Sequence, residues 1–333
     1  MKILYTLIGA ILLLEGCSDT LKYQHAEGKI YGTFYHISYA SSEDLNSGII
    51  ERMESVNISL SMFNPRSVIS AINEGKTDET DSLFRKMFRT AWAVNRATAG
   101  AFDISVAPLV NAWGFGFEKQ EFPDSAKIDS LLHFVGMDKI RLDHNRLIKQ
   151  SPGIQLDASS IAKGLGVDLA ADYLEEQGVE NYMVEIGGEV RVKGESDKKR
   201  PWRIGIDSPE EDPTARSRQL QTIVGLTSGA LATSGNYRNF YIHEGKKIAH
   251  TINPKTGFPV QTEVLSASVY APYCMEADAY ATAFMVLGLE EAKRIISSNP
   301  ELEGYLIYTE DRTIKTWISQ GLKRWMISEN NND

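Results

Sequence analysis

Strand-like runs in this chain come in clusters between helical segments instead of alternating with them one for one, and that order constrains the fold more than any other feature. Lys29 to Tyr39 alternates apolar and polar residues as a strand does. Leu45, Ile49, Met53, Val56 and Leu60 recur at intervals of three and four, the apolar face of an amphipathic helix. Further helices are predicted over 82–98, with Gly100 just beyond as a stop, over 126–135, ending at Gly136, and over 161–177, ending at Gly178. Short β-rich runs follow at 181–193, 202–207, 219–227, 237–243 and 264–271. A long helix is expected over 275–297, and strands near 304–308, 313–318 and 323–327. Clustered strands pair as hairpins, so the expected class is α+β, with mixed, largely antiparallel sheets and packed helices, not a doubly wound sheet. No internal repeat or long linker interrupts the pattern.

At 333 residues the chain holds about two units of ~150 residues and can bury a sizeable core. Its 44 acidic residues against 35 basic ones give a formal charge of −9, with no basic stripe interleaved with aromatics, which argues against nucleic acid as a partner. At the amino end Lys2 precedes an apolar stretch from Ile3 to Leu14, too short to span a bilayer and of the form of an export signal. Leu14-Glu15-Gly16-Cys17 resembles the bacterial lipobox, in which Cys17 becomes a lipidated mature terminus; Glu15 departs from the usual small or apolar residue, and a cleaved, unlipidated signal is the alternative. The expected organisation is a lipoprotein signal at 1–16, lipidated Cys17 and a polar tether to 28, a catalytic domain at 29–327 and a polar tail at 328–333. Such a chain is placed in the bacterial cell envelope, facing the periplasm or exterior, with membrane contact through its anchor. Cys274 is then the one remaining thiol, so neither a disulfide framework nor a thiolate metal site is available.

The strongest chemical signal is Glu276-Ala-Asp278-Ala-Tyr-Ala-Thr282 on a predicted helix. Positions i and i+4 share a face, so the Asp278 carboxylate and Thr282 hydroxyl project together among alanines, two hard oxygens suited to a cation such as Mg²⁺. The bland alternative is a solvated Asp and a Thr bonded back to its own helix. Leu156 to Gly164 should join a strand end to a helix start, with Asp157, Ser159 or Ser160 as the cap and Lys163 in a first turn where it calls for an anionic partner. Gly100 to Gly116 reads as an extended loop of glycines, a proline and aromatics that could wall a flat heterocycle. Gly114-Phe-Gly116 and Gly187-Gly188 are weak hints of phosphate loops. His250 to Pro259 is rich in turn formers and carries one imidazole, and Ala232 to Arg238 supplies hydroxyls and a guanidinium in a predicted turn. Taken singly, each is compatible with plain surface.

Taken in order, these segments resemble the ApbE-type flavin transferases, which move FMN from FAD onto a Thr or Ser of a target protein. The resemblance runs from about Gly28 to Arg324, through Tyr31-Gly-Thr-Phe-Tyr, Ser61-Met-Phe63 with Ser67, Ala101-Phe-Asp103 to Trp113-Gly-Phe-Gly, Leu156-Asp157 to Lys163-Gly164, Glu185-Ile-Gly-Gly-Glu, Ala232-Thr-Ser-Gly, His250 to Pro259, and Ala277-Asp278 to Thr282. It implies a flavin site in a cleft between two lobes, with Mg²⁺ held by Asp278, Thr282 and the backbone carbonyl of Ser160. Ala101, Phe102, Asp103, Asp157, Lys163 and Ile252 would contact FAD as substrate, with Phe63 and Tyr31 near its rings. Tyr31 stands where the family usually has Met, and Ala158-Ser159-Ser160 replaces a Leu-Gly-Gly-like run. The FAD diphosphate carries about two negative charges, so an attacking hydroxyl is repelled unless Mg²⁺ and Lys163 neutralise it and stabilise the departing AMP. His250, with a reference pKa of ~6.5, is the candidate general base. The expected partner is an acceptor protein with an exposed Thr or Ser. Attack by water would make the chain an FAD diphosphatase instead, and a third reading is a non-catalytic FAD-binding lipoprotein.

Overall fold

The computed structural model describes residues 22–116, 122–209, 220–236, 240–243 and 246–327. The signal, Cys17, the start of the tether, Tyr237, Arg238 and the polar tail lie outside the described residues. In chain order a hairpin of β1 (Tyr23–Ile30) and β2 (Thr33–Ala40) leads to helices α1 (Asn46–Leu60), α2 (Val68–Asn73), α3 (Ser82–Ala97), α4 (Ala107–Ala112) and α5 (Ser125–Leu132). A small hairpin of β3 (Ile140–Asp143) and β4 (Arg146–Lys149) precedes α6 (Ala162–Glu176). Then come β5 (Tyr182–Ile186), β6 (Glu189–Lys193), β7 (Trp202–Asp207), β8 (Leu220–Leu226), β9 (Ser228–Gly235), β10 (Phe240–His243), β11 (Lys246–Ala249) and β12 (Val264–Ala271). The chain closes with α7 (Cys274–Leu287), α8 (Leu289–Ser298), β13 (Glu303–Glu310), β14 (Thr313–Ile318), α9 (Gln320–Lys323) and β15 (Met326–Ile327).

The main sheet has eight strands in the order β1-β2-β5-β6-β9-β12-β13-β14, every neighbouring pair antiparallel. A three-stranded sheet, β15-β8-β7, packs on it through Val190, Val192, Trp202, Val224 and Ile307. The α+β expectation with largely antiparallel sheets therefore holds. The first strand begins earlier than expected: Tyr23 to Ile30, mostly assigned to the tether, pairs with β2 and turns Ala26 and Ile30 into the core. The turn is two residues long, with positive φ at Tyr31 (51°) and Gly32 (74°), the geometry that matches strand twist.

Helix α7 runs beneath β9 and β12 and is buried nearly all round. Its alanines Ala277, Ala279, Ala281 and Ala283, all fully buried, allow that close approach between sheet and outer helices, while Met275, Tyr280, Phe284 and Met285 fill the core around them. The helix expected over 275–297 is two helices, because Gly288 takes φ 79° and breaks the ladder between α7 and α8. Between 100 and 116 the chain is not an extended loop: a 3₁₀ turn at Ile104–Val106 runs into α4, with Pro108 in its first turn, where its missing N–H costs nothing. Ser228 to Gly235, partly read as a turn, is strand β9, its small residues matched to the close approach of α7.

Candidate active site

A cleft of about 500 Å³ opens where the ends of α6, α7, β6 and β9 meet the loops after α3 and β11. The sequence-predicted residues Phe63, Ala101, Phe102, Asp103, Asp157 and Ser160 line it, as do Lys163, His250, Ile252, Asp278 and Thr282. Tyr31 does not. Its ring packs against Gly166 of α6 and its hydroxyl donates to the Met53 carbonyl at 2.6 Å, which makes it a strut between α1 and α6.

On the cleft floor, Asp278 is 3% exposed, so the solvated-surface alternative fails. Its Oδ2 accepts the Gly164 backbone N–H at 3.0 Å, the amide of the first turn of α6. The sequence assigned that cap to Asp157, Ser159 or Ser160, but none reaches the helix: Asp157 instead closes a local turn, its Oδ1 accepting the Ser159 N–H at 2.7 Å. Burial pushes the Asp157 carboxyl up, offset in part by Ser159. Lys163 faces the same volume and finds carboxylates there, with Nζ 2.7 Å from Glu189 Oε1 and 3.8 Å from Asp278 Oδ1. Burial works against its charge, but Asp278 and Glu189 outweigh that and hold its pKa above the ordinary lysine value.

Sequence reasoning missed Glu189. Burial, opposed by Lys163 and reinforced by Asp278, pushes its carboxyl up to about 7, and its Oε2 is a buried oxygen without a hydrogen-bond partner among the described residues. Gly187 and Gly188, both at positive φ, form the two-residue turn from β5 that delivers it. A Cβ at Gly187 would sit 2.8 Å from Thr33, so these glycines serve a tight hairpin at the cleft rim. The available signal was a row of charged residues, Glu189, Arg191 and Lys193, alternating with valines on one short strand.

Asp278, Thr282 and Ser160 all line the cleft, and the oxygens these residue types offer, a carboxylate, a hydroxyl and a backbone carbonyl, fit Mg²⁺, which keeps water and substrate oxygens as its other ligands. The orphan Glu189 oxygen in the same corner fits as well, since a buried carboxylate oxygen needs a cation or a bound water near it. Among the described residues no three His, Cys, Asp or Glu side chains gather as a metal cage. Thr282 Oγ1 lies 3.2 Å from Ser234 Oγ on β9, which the sequence pattern placed in a turn.

The opposite wall is aromatic. Phe115 stacks on Tyr241 with ring centroids 5.1 Å apart and meets the edge of His250 at 6.3 Å. Phe63 lines the rim of the cleft and is 74% exposed. Phe102 contributes backbone only, because its ring is in the main core. Asp103 is similarly committed: Oδ1 accepts the Ser105 N–H at 2.8 Å and Oδ2 the Met137 N–H at 3.0 Å. The His250 loop is pinned by a bridge between Ile252 and Pro259 and by Thr251 Oγ1 donating to Asn236 Oδ1 at 2.9 Å. The cleft thus joins a polar, cation-bearing floor to an aromatic wall, and suits a flat ring carrying phosphate.

A model of the ApbE family matches residues 31–306. The FAD:protein FMN transferase of Haemophilus influenzae is 37% identical over 334 residues, which cover 95% of each chain. That of Vibrio cholerae is 36% identical, covering 96% of this chain and 97% of the relative. Among solved structures, the flavin transferase ApbE from Vibrio cholerae has a TM-score of 0.82 at 34% identity, over 92% of this chain and 99% of that one. The ApbE protein from Thermotoga maritima has a TM-score of 0.80 at 28% identity.

Proposed function

The chain belongs to the ApbE family, and from that membership and the cleft we propose that it is an Mg²⁺-dependent flavin transferase that moves the FMN half of FAD onto a Thr or Ser hydroxyl of an acceptor protein. The observation that carries this reading is the juxtaposition of Lys163, Asp278 and Thr282 on the floor with His250 on the facing wall of one cleft. A passive flavin store needs no imidazole opposite a cation site.

The acceptor oxygen bonds to the FMN-side phosphorus, the bond from that phosphorus to the bridging oxygen breaks, and AMP departs with the bridging oxygen. His250 takes the hydroxyl proton, a role suited to a group whose reference pKa is ~6.5. Lys163 places a fixed positive charge beside the phosphates, worth more in a partly dry cleft than in water. Phe63 and Phe115 orient the ring. Asp278, Thr282 and the Ser160 carbonyl hold Mg²⁺, which when bound neutralises phosphate charge.

Incubating the chain with FAD, Mg²⁺ and a candidate acceptor, then weighing the acceptor and counting AMP, tests the reading. An acceptor heavier by one FMN moiety with one AMP released is the expected result; free FMN with an unmodified acceptor identifies a diphosphatase. The same reading puts the chain in the bacterial envelope, anchored by lipidated Cys17. Wild type should then partition into detergent, and Cys17→Ser should not.

A further inference from the structure

Beneath the cleft floor, helices α6 and α7 meet at their amino ends in a reciprocal arrangement. Asp278, in the second turn of α7, accepts the Gly164 N–H of α6 at 3.0 Å. Asp168, in the second turn of α6, accepts the Cys274 N–H with Oδ1 and the Met275 N–H with Oδ2, both at 2.9 Å. Each carboxylate lies four residues past the capped amide of its own helix, so the two contacts lock the helices in a single register. The approach is close enough to require glycine: a Cβ on Gly164 would lie 2.5 Å from the Cys274 carbonyl oxygen.

Asp168 is 1% exposed and turned away from the cleft; Arg191 NH1 holds its Oδ1 at 3.1 Å. Arg191 comes from β6, two residues beyond Glu189, and also pairs with Asp172 at 2.8 Å and Glu175 at 2.9 Å. The β6 residue that grips Lys163 and the one that grips Asp168 therefore lie on one strand face and fix the same two helix ends.

We infer that Asp168, held by Arg191, is a positioning residue for flavin transfer: by capping α7 it sets the Asp278 carboxylate in the geometry that receives the cation. This inference rests on the flavin-transfer reading. It needs no contact between Asp168 and substrate, and it separates Asp168 from Asp172, which shares Arg191 but has no bond to α7 among those the structure shows.

The test is Mn²⁺ binding, by electron paramagnetic resonance, to the full chain loaded with FAD. Asp168→Asn turns an amide NH₂ toward a backbone N–H and should weaken Mn²⁺ binding ~10–100-fold, the range for residues that orient ligands from outside the ligand set. Its transfer rate should recover at high Mg²⁺, while FAD affinity in metal-free buffer stays within about twofold of wild type. Asp172→Asn should leave Mn²⁺ binding within about twofold, whatever it does to the melting temperature. Gly164→Ala keeps every charge but drives the helices apart, and should weaken Mn²⁺ binding in the same direction; it serves if Asp168→Asn fails to fold. Wild-type Mn²⁺ binding in Asp168→Asn, or in a folded Gly164→Ala, would overturn the inference, as would an equal loss in Asp172→Asn. Absence of Mn²⁺ binding in wild type would instead overturn the metal site on which the inference rests.

Discussion

Two buried charge clusters sit a few residues apart on α6, and they are built differently. Around Arg191, every partner is engaged: NH1 bonds Asp168 and Asp172, NH2 bonds Glu175, and the guanidinium lies 5.0 Å from the Tyr273 ring. Asp168 takes two backbone amides as well, and the Tyr182 hydroxyl donates to Glu175 at 2.7 Å. Around Lys163 the balance is incomplete. It is close to Glu189 but 3.8 Å from Asp278, and Glu189 Oε2 has no partner among the described residues. Buried charge is costly unless paired and hydrogen-bonded, so the saturated cluster is scaffold and the unsaturated one is held ready for charge that arrives with a ligand.

The largest effect should come from the unsaturated side. Asp278→Ala should lower transfer by ~10³-fold or more while the protein stays folded, and EDTA should abolish wild-type activity, with Mg²⁺ restoring it. Full activity in chelator would erase the distinction between the clusters. His250→Ala, on the facing wall, should slow single-turnover transfer ~10²–10⁴-fold with FAD affinity, read by flavin fluorescence, little changed. An equal loss in binding would make it a structural residue of its loop.

The saturated side should fail in stability. Arg191→Met leaves the buried Asp168 carboxylate without its cation and should cost ~3–5 kcal/mol of unfolding free energy, read by denaturant titration. A smaller effect with a definite sign comes from Glu175. Burial raises its pKa, but Tyr182, Arg191 and Lys193 outweigh that and bring it below its ordinary value. A depressed carboxyl contributes stability above its unfolded pKa of ~4.3 and loses it as pH falls through the folded value, so Glu175→Gln should flatten the acid limb of the stability curve. Smallest is the exposed Arg52–Glu176 pair on α1 and α6, where Arg52→Gln should cost ~0–1 kcal/mol.

Sequence order made much of this legible. The small-residue helix carrying Asp278 and Thr282, the Lys163 turn and the His250 loop were readable because helical spacing and turn chemistry are local properties. What could not be read depends on tertiary packing. Tyr23 to Ile30 is polar enough to pass for a tether, and becomes a strand because β2 offers it an edge and the core takes its alternate residues. The resemblance implies Tyr31 near the flavin, whereas its hydrogen bond to the Met53 carbonyl, a contact across helices, has no local signal in the sequence. The cap of α6 comes from Asp278, 114 residues away in sequence, a separation that no window of propensity spans.

Transfer per folded molecule in Asp278→Ala and Glu175→Gln, side by side, tests the contrast most directly. Acceptor mass gives the rate, and far-UV circular dichroism at the same temperature gives the folded fraction. The expected result is FMN adduct formed ~10³-fold or more slowly by Asp278→Ala and at a near-wild-type rate by Glu175→Gln, with only the latter losing its acid-dependent stability. Near-wild-type transfer by Asp278→Ala, or its loss in folded Glu175→Gln, would contradict the assignment of catalysis to the unsaturated corner.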